Sequence, residues 1–141
     1  TFSGQRRPTF GWGNFMNESG YTRKISKLIR RDVYTWKISD RFTAGIPDAY
    51  YSGTATDLWV EFKHIPTPPK TTKQCPALSK LQQKWLRDRM GEGRNVAVIV
   101  GLGARSGVIL TGESMFKPID LDNAISCQEI ADWISEFTCG L

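Results

Sequence analysis

The run Asn95-Val96-Ala97-Val98-Ile99-Val100 constrains the fold more than any other feature of the chain. It is short, apolar at consecutive positions and rich in β-branched residues, so it reads as a strand with no wet side. A sheet holding such a strand needs helices to cover it. The sequence offers three. Tyr21, Ile25, Leu28 and Ile29 form one apolar stripe over Glu18–Arg31, with Asn17 placed to cap the helix and Arg30 and Arg31 suited to its C-terminal end. Ser79-Lys80-Leu81-Gln82 has the form of a capping box and opens a helix to about Met90, stopped by Gly91 and Gly93. Ser126-Cys127-Gln128-Glu129 repeats that form ahead of Ile130, Trp133, Ile134 and Phe137.

Further strands are expected at Val33–Ile38, Asp48–Tyr51, Leu58–Phe62 and Gly107–Leu110, from their β-branched and aromatic content. The turn-rich segment Ser52–Asp57 joins the second and third of the chain's strands as a hairpin. Pro66–Pro76 holds four of the seven prolines and reads as a loop. The sum is an α/β fold with a mixed central sheet flanked by helices.

At 141 residues the chain suits a single domain over 17–141, preceded by a basic and aromatic arm over 1–16 that shows no periodicity. A hydrophobic content of 40% is enough for a packed core. No apolar run nears the ~18 residues of a membrane helix, and no signal-peptide pattern is present, so a cytoplasmic location is expected. Three cysteines without a C-x-x-C pair support neither a disulfide framework nor zinc, and no organic cofactor is expected. Residues 1–41 carry nine Lys/Arg against three acids, whereas residues 112–141 carry one against six. A basic body with an acidic tail suits a polyanionic partner on one surface, with Arg6 and Arg7 as contacts from the arm. Solvated helix faces would give the same count.

The chemistry centres on Leu58-Trp59-Val60-Glu61-Phe62-Lys63. Alternation sends Leu58, Val60 and Phe62 to one face and Trp59, Glu61 and Lys63 to the other. A lone E-x-K of this kind is usually just the wet side of a strand. Here the neighbouring strand begins at Gly45-Ile46-Pro47-Asp48, which sets a second carboxylate beside Glu61. Pro47 holds Ile46 extended, and Gly45 permits a sharp turn into the strand. Two adjacent carboxylates repel unless a cation lies between them, and oxygen donors suit a hard cation such as Mg²⁺.

These pieces resemble the PD-(D/E)XK nuclease superfamily, and in particular its VRR-NUC subfamily. That group carries a glutamate opening its first helix, then G-I-P-D, E-x-K, a segment like L-S-x-x-Q-x-x-W-L and a Gly-bounded apolar strand. Here they are Glu18, Gly45–Asp48, Glu61–Lys63, Leu78–Leu86 and Asn95–Val100, in order, over about residues 17–101. The Pro-rich insert between Lys63 and Leu78 departs from the pattern. The resemblance implies a restriction-endonuclease-like α-β-β-β-α-β core and Mg²⁺-dependent DNA cleavage, with Mn²⁺ able to substitute. Branched or flapped DNA is the implied substrate.

By the same resemblance, Asp48, Glu61 and the Phe62 carbonyl would hold the metal. Lys63 would act on the attacking water or stabilise charge on the phosphate. Glu18 would serve as an outer acid, and Gln82 would hydrogen-bond into the site. Arg23 and Lys24 join Arg6 and Arg7 as candidate DNA contacts. Small stand-alone members resemble phage-encoded, junction-resolving dimers, so a homodimer of viral origin is expected, with the C-terminal apolar stripe contributing to the interface or else covering the chain's own sheet. Plainer roles exist for two of the residues: Gln82 as a helix cap, and Glu18 as a partner of the helix dipole. A restriction- or homing-type endonuclease on the same core, and a non-catalytic DNA-binding module, are the alternative functions.

Overall fold

The computed structural model describes residues 16–40, 42–68 and 74–141. In chain order the elements are α1 (Glu18–Leu28), β1 (Tyr34–Lys37), β2 (Ala49–Ser52), β3 (Asp57–Ile65), α2 (Lys80–Gly91), β4 (Val96–Leu102) and β5 (Ser106–Leu110). Two 3-10 turns, Gly112–Phe116 and Leu121–Asn123, lead to β6 (Ile125–Ser126) and α3 (Cys127–Cys139). The first part of this order is the expected α-β-β-β-α-β core.

The strands form one sheet in the order β1-β2-β3-β4-β5-β6. All neighbours are antiparallel except β3 and β4, which run parallel because α2 crosses over between them. Every residue of β4 is buried, as its unbroken apolar run requires. On one face Leu58, Val60, Phe62, Ala97 and Ile99 meet Tyr21 and Ile25 of α1 and Ile130 and Ile134 of α3. On the other, Val96, Val98, Val100 and Leu102 meet Leu86 of α2, with Met115 and Ile119 from the segment after β5. The centre of the sheet is therefore covered on both sides, while β1 at its edge is exposed along its length. Tyr21 comes so close to it that a Cβ at Gly101 would lie 2.8 Å from the ring.

All three caps form. Asn17 accepts from the Gly20 amide at 2.8 Å, and the boxes Ser79/Gln82 and Ser126/Glu129 are both complete. Helix α1 stops at Leu28, three residues before the expected end at Arg31. The cause is packing: Ile29 turns extended and goes into the core, and the Arg30 amide finds Ser135 of α3 at 3.2 Å. Arg30 and Arg31 thus lie beyond the helix rather than in its last turn, and Arg30 pairs with Asp32. The two-residue β6 and both 3-10 turns are too short to leave a periodic signal in sequence. The C-terminal stripe mostly covers the chain's own sheet: Ile130 and Ile134 are fully buried, and Phe137 is 37% exposed. The expected arm lies outside the described residues apart from Met16, which packs against the core.

Candidate active site

Pairing of Ala49 with Val60 sets Asp48 across from Glu61, on the α2 side of the sheet. The ladder continues through the Asp48 amide, which donates to the Val60 carbonyl at 3.1 Å. The Asp48 side chain is held as well, since its Oδ2 accepts from the Phe62 amide at 2.9 Å. Lys63, two residues along the same face from Glu61, brings its Nζ to 3.3 Å from Glu61 Oε2. Asp48, Glu61 and Lys63 are brought together as the sequence suggests.

Gln82 has both of the roles considered for it. Its Oε1 accepts from the Ser79 amide at 2.9 Å, completing the cap of α2, and its Nε2 donates to Glu61 Oε2 at 3.0 Å. One carboxylate oxygen of Glu61 is thus held from two sides. The other, Oε1, is buried and has no hydrogen-bond partner. An orphaned buried acceptor is costly, so it marks a place where a further group is called for.

The electrostatics agree. Glu61 is only 2% exposed, and its pKa is pushed up to about 8, chiefly by loss of solvent and then by Asp48, against the pull of Lys63. Burial likewise raises Asp48, outweighing the Phe62 amide, Lys63 and Lys37. Glu18 is raised by partial burial of its carboxyl and by Asp48. Three acids held above their ordinary range share one neighbourhood in which Lys63 and Lys37 do not neutralise them. That environment fits a hard divalent cation on Asp48 and Glu61. Among the described residues no three His, Cys, Asp or Glu side chains cluster as a metal-ligating set. Glu18 accordingly stands outside the immediate donor pair.

Glu18 opens α1 and, with Lys63 and His64, lines a cavity of about 260 Å³ closed by Gln74–Ala77 and Ile119. The end of the Pro-rich insert forms this wall because the Ile119 amide donates to the Gln74 carbonyl at 2.9 Å. His64 turns to the Gly103 carbonyl at 2.7 Å, as a residue near the end of its strand does. Trp85 packs edge-on to Trp59 at 5.3 Å, so it is part of the packing beside the site. Of the candidate DNA contacts, Arg23 is exposed on α1, whereas the Lys24 ammonium donates to Ala104 at 2.7 Å. Arg6 and Arg7 lie outside the described residues. One charged neighbour of Asp48 was missed in sequence: Lys37, which pairs with Ala49 across β1 and β2. Only the strand register reveals it.

No protein-family model matches the chain, and neither does any curated protein. Among solved structures it is similar to Hjc, a Holliday junction resolvase from the archaeal hyperthermophile Archaeoglobus fulgidus. The TM-score is 0.52 at 13% sequence identity, over 81% of this chain and 97% of that one. The fold is restriction-endonuclease-like. At that identity the likeness speaks for architecture, and the VRR-NUC resemblance rests on the motifs alone.

Proposed function

We propose that the chain is a divalent-cation-dependent DNA endonuclease of VRR-NUC type that cuts branched or flapped DNA, with Mg²⁺ as cation and Mn²⁺ able to replace it. The observation that carries this reading is the buried Glu61 of β3 beside the half-buried Asp48 at the entry to β2, with Glu61 Oε1 unpartnered and Lys63 Nζ 3.3 Å from Oε2. Asp48, Glu61 and the Phe62 carbonyl would hold the cation, which supplies charge neutralisation at the phosphoryl oxygen and a more acidic water. The protein's own part is positional. Gln82 and Lys63 grip Glu61 Oε2 and leave the buried Oε1 without a partner, as a donor for the cation. The Phe62 amide fixes Asp48 in the same way. Lys63 stands where its N–H groups can reach a phosphate oxygen or the attacking water, and Glu18 can orient water from the cavity rim.

Two things support branched DNA as substrate. One is the order of motifs along the chain; the other is the fold likeness to Hjc, itself a Holliday junction resolvase. Resolving a four-way junction takes two incisions related by symmetry, which a two-fold homodimer supplies with one self-complementary interface. The test is cleavage of linear duplex, flap and four-way junction DNA, with Mg²⁺ and with EDTA, beside light scattering of the protein. Metal-dependent incision of the branched substrates is expected. Absence of incision in every substrate with Mg²⁺ or Mn²⁺ would remove the reading in favour of a DNA-binding module.

A further inference from the structure

The connection between β1 and β2 carries Phe42, which is 97% exposed. Leaving a whole phenyl ring in water forgoes the stabilisation that burial gives it, and no packing within the described fold requires the ring there. The loop that holds it is nonetheless well built. Asp40 Oδ1 accepts from the amides of Phe42 at 2.7 Å and Thr43 at 3.1 Å, an Asx-type turn at the tip. Gly45, at φ +87°, lays its backbone against the first turn of α2, so closely that a Cβ there would lie 2.6 Å from the Leu81 carbonyl oxygen. The Ile38 amide closes the base of the loop on the Asp48 carbonyl at 2.8 Å. The loop is therefore pinned to Asp48 at its base and to α2 beside Gln82, the residue that grips Glu61. Leu81, 54% exposed, offers a second apolar side chain on that neighbouring turn.

We propose that Phe42 is a stacking residue for an unpaired or unstacked base at the branch point of a DNA substrate, with Leu81 as the adjoining apolar lip. This rests on the nuclease reading of the site. One ring and one leucine fall far short of the ~800 Å² that each partner buries in a stable protein interface. They do match a single base on an aromatic face, and an apolar wedge of this kind is a general way to hold DNA open at a kinked step. Lys37 and Lys63 both act on Asp48, where the loop ends, and with a cation held by Asp48 and Glu61 the surroundings would favour a polyanion. Opening a base at a branch point, where the stack is interrupted, costs less than unstacking one inside a linear duplex. The ring thus selects for branched DNA.

The test compares Phe42→Ala and Phe42→Trp with the parent protein on four-way junction, flap and linear duplex DNA, binding being measured in EDTA and cleavage in Mg²⁺. The ring supports nothing in the fold, so circular dichroism of both variants matches the parent. Phe42→Ala weakens binding of branched DNA about 10-fold, the size of one base stack, and narrows its preference over linear duplex. Phe42→Trp restores that preference, and branched DNA quenches the new indole's fluorescence. Equal affinity of Phe42→Ala and parent for branched DNA overturns the proposal while leaving the nuclease reading intact. So does an equal loss on linear and branched DNA, or a shift from dimer to monomer in light scattering, which would make the ring a protein contact. If the parent cuts no DNA at all, the nuclease reading falls and takes this proposal with it.

Discussion

Replacing Glu61 by Gln removes the titrating proton from the most buried acid of the site while keeping its shape and an oxygen for Gln82. The carboxyl has its pKa near 8 in the folded chain and near the ordinary 4.5 when unfolded. The folded state thus binds this proton more tightly, and Glu61 stabilises the protein fully only below about pH 4.5. Between pH 4.5 and 8 that contribution falls by about 1.4 kcal/mol per pH unit, and above pH 8 it is gone. The whole effect is about 5 kcal/mol, an amount comparable with the net stability of a small domain. Urea unfolding in EDTA between pH 5 and 9 measures it. The parent loses stability as pH rises, and E61Q, lacking this group, gains on it by up to that amount. Saturating Mg²⁺ at pH 8 then restores the parent far more than E61Q, because ligand binding to the folded state adds stability by mass action. Parallel pH curves for the two proteins in EDTA would refute the buried, proton-holding Glu61.

Asp48→Asn is expected to abolish cleavage while leaving affinity for DNA unchanged or higher, since it removes negative charge; undiminished cleavage by the purified variant would exclude Asp48 from the site. Gln82→Ala leaves Glu61 Oε2 to Lys63 alone and frees the Ser79 amide, so it should slow cleavage and also cost about 1 kcal/mol in unfolding experiments through the lost cap. Gly101→Ala presses a methyl group into the fully buried Tyr21 ring at 2.8 Å and should destabilise by about 1–3 kcal/mol with little change in metal dependence.

Much of this architecture is legible in the residues because local and long-range demands agree. The unbroken apolar run of β4, the three N-caps and the alternation of β3 each follow from short stretches of sequence, and the structure forms them all. The pairing of Asp48 with Glu61 is legible too, because the segment between β2 and β3 is short enough to force the strands together. What escaped the sequence depends on contacts made at a distance. The early end of α1 is set by Ser135 and by the burial of Ile29, more than a hundred residues from Ser135 along the chain. Lys37 approaches Asp48 only through the register of an edge strand. Phe42 lies in a segment with no periodicity, so nothing in its neighbours distinguishes an exposed ring from a buried one. The insert after Lys63 reads only as a loop until its end is seen docked against Ile119 beside the site.

Gln82 ties these strands of reasoning together. A glutamine at the third position of a capping box is explained by helix energetics alone, and its contact with Glu61 is explained by chemistry alone. In the structure one amide does both, its oxygen taken by the Ser79 amide and its nitrogen given to Glu61. The start of the crossover helix is thereby locked to the carboxylate on β3. The same helix turn receives the loop that leads to Asp48, through the contact of Gly45 with Leu81. Both acids are therefore positioned from one point, the first turn of α2. A change that moved this turn would displace Asp48 and Glu61 together rather than either one alone, which is why the cap matters to the site as much as to the helix.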